Sequence, residues 1–218
     1  IVVLGGDGTH RLVAHACGQT PMACISTGTN NAFPGNPEAT TAGLAAGAVG
    51  RRLVTPDIVC NSNKRLCVRV NCQDTIPALV DVCITTDTQT GTRALWRSDR
   101  LRKLFLTFAE PGQVGLSSIG SLLSPTTRQD NNGLIIDIDP TAREFTELMA
   151  PIAPGLFEPI AITNCQPISL GEKFVPESFV GTLAYDGERE VTLFSGERIE
   201  IGLDRQGPLT IDMAKTIE

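Results

Sequence analysis

Ile1-Val2-Val3-Leu4-Gly5-Gly6-Asp7-Gly8-Thr9-His10-Arg11-Leu12-Val13-Ala14-His15-Ala16-Cys17-Gly18 is the stretch that decides the fold. Four apolar residues, a glycine turn and a helix-compatible run read as strand, turn and helix. Glycines at such a junction let the backbone take φ > 0 and let its N–H groups approach a phosphate. The helix behind them offers the positive end of its dipole. Asp7 sits inside this cradle. A carboxylate there repels phosphate unless it serves as a base or holds a metal, so Asp7 becomes the candidate catalytic residue. The plainer reading is a strand-to-helix turn with an Asp cap.

Downstream, Pro21-Met22-Ala23-Cys24-Ile25 is a second short apolar strand that runs into Ser26-Thr27-Gly28-Thr29-Asn30-Asn31. A helix stopping at Gly18 joins the two strands into a βαβ unit, with both loops at one sheet edge. Ligands of open parallel sheets bind at that edge, and Gly6 and Gly28 are expected where backbone comes near phosphate. A further helix is expected over 37–49, with Asn36 as cap, Pro37 in the first turn and Gly50 as stop. Its close-packing face would be Ala39, Ala42, Gly43, Ala46 and Gly47.

Gly5-Gly6-Asp7-Gly8-Thr9 followed by Gly28-Thr29-Asn30-Asn31 resembles the GGDGT superfamily of NAD kinases and diacylglycerol or sphingosine kinases. The wider run Ser26 to Pro34, then Glu38-Ala39-Thr40 and Ala42-Gly43-Leu44-Ala45-Ala46-Gly47, looks most like the ATP-NAD kinase branch that includes the acetoin-catabolism protein X. The second loop leans towards the lipid-kinase form, which has Asn-Asp where this chain has Asn30-Asn31.

The resemblance implies phosphoryl transfer from ATP to the adenosine ribose 2′-hydroxyl of NAD, giving NADP. Asp7 would accept the hydroxyl proton, and Gly5, Gly6, Gly8 and Thr9 would supply donors to phosphate. Gly28 and Thr29 belong to the second loop, where Asn30 and Asn31 would hold adenine or ribose edges. Mg²⁺ would arrive with the nucleotide, since no cluster of metal ligands is visible. Asp81 falls where NAD kinases carry an Asn-Glu pair that holds ribose. The pair here is Val80-Asp81, and valine makes no hydrogen bond to a hydroxyl. Ser117 lies in a polar stretch, Glu110 to Gly120, that matches a nucleotide-contacting loop or else a turn between strands. Asp186 and Glu188 flank Gly187 in a segment that reads as a two-residue hairpin turn. In the superfamily the same segment lies near the cleft, where it assists hydroxyl activation or metal placement, and the two readings are compatible.

The 218 residues, 41% hydrophobic and 19% charged, suit a globular chain that buries a core. A net charge of -6 and the lack of a basic stripe argue against a nucleic-acid partner. Arg97, Arg100, Arg102 and Lys103 form a local cluster interrupted by Asp99, which reads as a solvated face. No transmembrane run appears. The seven cysteines form no CxxC pair and read as small core residues in a reducing cytoplasm. His10 and His15, five apart, lack metal-ligand spacing. His10 is expected near bound phosphate or as a partly exposed helix-start residue.

After Thr55 the helical pattern gives way to short apolar runs at 65–70, 77–84, 104–108, 134–138, 159–162, 180–184, 191–194 and 199–203, separated by Gly, Pro, Asp and Asn. Such spacing predicts a β-sandwich. The expected fold class is therefore α/β plus all-β. Residues 1–54 form a partial, NAD-kinase-like α/β nucleotide-binding domain. Residues 55–218 form a β-sandwich domain for substrate and oligomerisation, whose C-terminal end returning to the first domain is left open. The resemblance also implies a homo-oligomer, and an α/β segment upstream of Ile1 that would cover the edge of the first strand and complete the cleft. Three functions compete: an NAD-kinase-type enzyme, a diacylglycerol-type lipid kinase, and a non-catalytic nucleotide-binding protein of acetoin catabolism. Against the lipid kinase stands the lack of a basic amphipathic stretch for docking on an anionic membrane.

Overall fold

The computed structural model describes residues 1–87, 98–177 and 179–218. In chain order the elements are β1 (Val2–Gly5), α1 (Asp7–Cys17), β2 (Ala23–Ser26), α2 (Ala39–Gly50), α3 (Pro56–Val59), β3 (Cys60–Ser62), β4 (Arg65–Val70), β5 (Gln73–Asp74) and β6 (Asp81–Thr85). They continue with β7 (Leu101–Leu106), α4 (Ser117–Leu123), β8 (Asn132–Ile138), β9 (Thr146–Ala153), β10 (Leu156–Ser169) and β11 (Lys173–Phe174). The chain closes with β12 (Gly181–Tyr185), β13 (Glu188–Leu193), β14 (Ile199–Asp204), β15 (Leu209–Ile211) and α5 (Met213–Ile217).

The βαβ unit forms as expected, β1 running parallel to β2 with Val2 opposite Ala23 and Gly5 opposite Ser26. Gly18 ends α1 at φ 56°, a left-handed conformation that glycine adopts without Cβ strain. The second helix starts two residues later than its Pro37 signal. Glu38, not Asn36, is its N-cap and accepts from the Thr41 amide at 3.0 Å. Of the small-residue face named above the helix buries Ala42 alone, together with Ala45 and Val49, while Ala39, Gly43 and Gly47 are exposed.

Antiparallel strands in the order β13-β12-β6-β7-β8-β10-β9 make one sheet, and β11-β14-β4-β5 make another. Alternation along each strand sorts the core. Val82, Ile84, Phe105, Ile135, Leu183 and Tyr185 meet Leu66, Val68, Ile199, Ile201 and Leu203 of the smaller sheet. Cys83, Leu104, Leu106, Leu134 and Ile136 point the other way, onto Ile119 of α4 and onto Ile152, Ile160 and Ile162 of the curled β9–β10 end. The larger sheet is thus buried on both faces, which is why its central strands read as unbroken apolar runs. Among the described residues only the short helices α3, α4 and α5 and a 3-10 turn at Ser98–Arg100 interrupt the β-rich half, in keeping with the near loss of helical pattern after Thr55. The polar stretch 110–120 is a turn that becomes helix α4 at Ser117.

β15 pairs with β3, and Thr210 makes a parallel bridge to Met22 beside β2. Ala23, Ala45, Val49, Val59 and Ile211 form one cluster where these pieces meet. A further cluster, Val3, Met22, Cys24, Ala32, Phe33, Leu79, Val80 and Phe108, joins the βαβ unit to the larger sheet. The cysteines are free thiols, Cys24 and Cys83 buried and Cys72 exposed. Arg100 pairs with Asp87 and Asp99, Lys103 pairs with Asp137, and Arg102 donates to the Asp99 and Leu101 carbonyls; Arg97 lies outside the described residues. Among the described residues no helix is long and apolar enough to cross a membrane.

Candidate functional site

A cleft of about 380 Å³ opens where the ends of β1 and β2 face the β-rich half. Gly6, Asp7, Gly8 and Thr9 line it from the first loop, and Asn30 and Asn31 from the second. Asp81 on β6, Ser117 at the start of α4, and Asp186 and Glu188 of the β12–β13 hairpin close the other side. Of the residues singled out in the sequence, Gly5, Gly28 and Thr29 do not line the cleft.

The glycines of the cradle are needed for space, not for conformation. Gly6 is the N-cap of α1 with φ -91° and ψ -175°, open to any residue. A Cβ on Gly5 would lie 2.7 Å from that of Thr9, and one on Gly8 would lie 2.7 Å from Glu188 Oε1. A Cβ on Gly6 or Gly28 would meet Asn31, at 2.9 and 2.6 Å respectively. The expectation of φ > 0 in the cradle is therefore corrected. These turns are tight because neighbouring side chains close over them.

Asp7 opens α1 and crosses to the second loop. Its two oxygens accept from the backbone amides of Ala32 (2.9 Å) and Phe33 (2.8 Å), which ties the two loops together. Burial pushes its carboxyl above the usual range, against those amides and the nearby His10 and Arg128 charges, which pull it down. His10 is fully buried, correcting the expectation of partial exposure. It donates from Nδ1 to the Gly6 carbonyl at 2.8 Å and faces Phe33. Asn31 donates to Ser26 Oγ at 2.8 Å, so this amide group braces the second loop as well as lining the cleft.

Asp186 occupies the left-handed first position of the hairpin turn, at φ 49°, with Gly187 following at 80°. Its carboxylate turns inward and accepts from the amides of Leu79 (3.1 Å), Val80 (2.7 Å) and Asp81 (3.1 Å). Arg11 of α1 approaches it at 3.6 Å and lies over the Tyr185 ring. Asp186 thus fastens the segment before β6 to the hairpin and α1. Asp81 is 5% exposed and its Oδ1 has no hydrogen-bond partner. Burial, then the charges of Asp186 and Asp7, push its carboxyl well up.

Sequence reasoning missed two arginines. Arg11 is fully buried beneath the cleft, four residues after Asp7 and so on the same helix face. Arg128 reaches from the loop before β8 to the carbonyls of Ala32 and Phe33, pairs with Glu110, and lies 4.2 Å over Phe108. The i+4 spacing to Asp7 was a readable signal for Arg11. Arg128 had none, since its partners are 95 and 96 residues away.

Among the described residues, no Lys or Arg lines the cleft and no cluster of three metal-ligating side chains occurs. Asp7 and Asp186 already have their oxygens engaged by backbone. Asp81 Oδ1, by contrast, has no hydrogen-bond partner.

Residues 64–206 match the family model described as the acetoin catabolism protein X C-terminal domain. Acetoin catabolism protein X of Cupriavidus necator is 38% identical over 218 residues, covering 98% of this chain and 61% of that protein. The chain thus spans about three fifths of the length of this curated relative. Among solved structures, yeast NADH kinase complexed with NADH matches at TM-score 0.53 and 16% identity, over 99% of this chain and 64% of that one. An NAD kinase from Archaeoglobus fulgidus in complex with ATP matches at TM-score 0.52 and 16% identity, over 99% of this chain and 78% of that one. At such identity the likeness is one of fold.

Proposed function

This chain belongs to the acetoin catabolism protein X family, and on that premise we propose that the whole protein is an ATP-dependent phosphotransferase of the NAD kinase type, acting on a ribose hydroxyl of NAD. The observation that carries the reading is Asp7: a carboxylate in the cleft wall, held by two backbone amides and made more basic by burial. A base so held accepts a hydroxyl proton as the phosphoryl group transfers, without first having to reorient. Gly6, Gly8 and Thr9 offer the phosphates the first turn of α1, Asn30 and Asn31 border the nucleoside, and Asp81 and Glu188 face the acceptor. Mg²⁺ enters with ATP and offsets the acidic lining. A cytoplasmic homo-oligomer belongs to the same proposal.

A second reading, a non-catalytic nucleotide-binding protein, is favoured by Val80 beside Asp81 and by a cleft without Lys or Arg among the described residues. Full-length protein incubated with Mg-ATP and either NAD or a diacylglycerol separates these. NADP is the expected product. Phosphatidic acid would point to a lipid kinase, and nucleotide binding without any product would establish the second reading.

A further inference from the structure

A second cavity, of about 390 Å³, lies towards the C-terminal end of α1, between that end of the helix and the loops around β3 and β14. In a chain of 24 acidic and 18 basic residues, its lining includes Arg11, Arg65, Arg205 and His15 and no Asp or Glu. Arg65 is held by Asp204 at 2.9 Å and by Gln206 Oε1 at 3.1 Å. Arg205 is braced by the carbonyls of Arg128, Gln129 and Asp130, which orient its guanidinium without cancelling its charge. Lys64, next in the chain to Arg65, is pushed down to about 8 chiefly by burial and then by the Arg205 charge, against Asp130 and Glu110. Asp204 and Asp186 offset Arg65 and Arg11, and the Arg205 charge acts on Asp130, so the wall presents guanidinium groups with no carboxylate among its lining residues.

We propose that this cavity binds a small oxyanion, a metabolite bearing a phosphate or carboxylate group, at a site separate from the nucleotide cleft. Guanidinium groups fixed by their neighbours receive such groups with charge-assisted hydrogen bonds and little loss of side-chain freedom. Because Arg11 forms part of this wall and also pairs with Asp186, the two cavities are in contact through one side chain.

The test is calorimetric titration of the full-length protein with inorganic phosphate and, separately, citrate, against chloride at matched ionic strength. The decisive variant is Gln206→Glu, which keeps the shape and the Arg65 contact and places a negative charge in the cavity. Phosphate or citrate should bind the parent, and the variant should bind at least about tenfold more weakly. The stronger of the two ligands identifies the oxyanion class. If the variant fails to fold, His15→Gln on the exposed end of α1 replaces it, with affinity expected to fall severalfold. No saturable heat with either ion, or equal affinity in parent and folded variant, would overturn the proposal.

Discussion

At Asp186 three backbone amides and the Arg11 guanidinium converge on one carboxylate, whereas Asp81 beside it keeps an oxygen that nothing donates to. The proton of this buried pair therefore rests on Asp81. Asp7, Asp81 and Asp186 are all raised by burial, Asp186 to about 7, so the folded chain holds protons that the unfolded chain has already released. Stability falls as pH rises through that window, from about 4, where free carboxyls titrate, upward. Urea unfolding should accordingly give a higher midpoint at about pH 5.5 than at about pH 8. Asp81→Asn should raise the value at the higher pH and flatten the difference; an unchanged pH slope in that variant would contradict the assignment. Asp186→Ala should cost about 3–5 kcal/mol in the same measurement, since it leaves Arg11 buried without its partner. The acidic residues were legible because each stands in a short local pattern. What Asp186 does was not legible, because Leu79, the first amide it holds, lies 107 residues away.

The larger elements followed from local pattern, and the exceptions have local causes. β9 begins with polar residues and contains Pro151, so it lacks the alternation that marks a strand. Its place at the sheet edge tolerates that proline. α4, Ser-Ser-Ile-Gly-Ser-Leu-Leu, is too short and too rich in small polar residues to show a helical period, yet it positions Ser117 in the cleft. It sits down on the sheet through Gly120, where a Cβ would meet Leu106 Cδ1 at 2.3 Å and Ala109 Cβ at 2.8 Å. Gly120→Val should therefore lift the helix, cost about 1–3 kcal/mol by thermal unfolding, and weaken nucleotide binding through the displaced Ser117. A variant with parent melting temperature and parent affinity would show that α4 does not seat the cleft wall.

Over the whole molecule, the last strand and helix return to the first βαβ unit. Met22 donates to the Leu209 carbonyl at 2.8 Å and accepts from the Ile211 amide at 2.9 Å, and Ile211 covers Ala23 and Val49. Removing residues 208–218 should strip hydrogen-exchange protection from β2 and α2 while leaving β7 and β8 protected; equal protection in both forms would refute this long-range support. The same closure brings Asp7 of the first unit and Asp81 of the second to one cleft. The central claim is that Asp7 works there as a base. Its most direct test is the rate of NADP formation from Mg-ATP and NAD by full-length parent and Asp7→Asn protein, with nucleotide affinity measured alongside. The account predicts NADP from the parent and a loss of about 10²–10⁴-fold in turnover for the variant, with affinity nearly unchanged. Equal turnover in the two proteins, or a parent that binds nucleotide and forms no NADP, would contradict it.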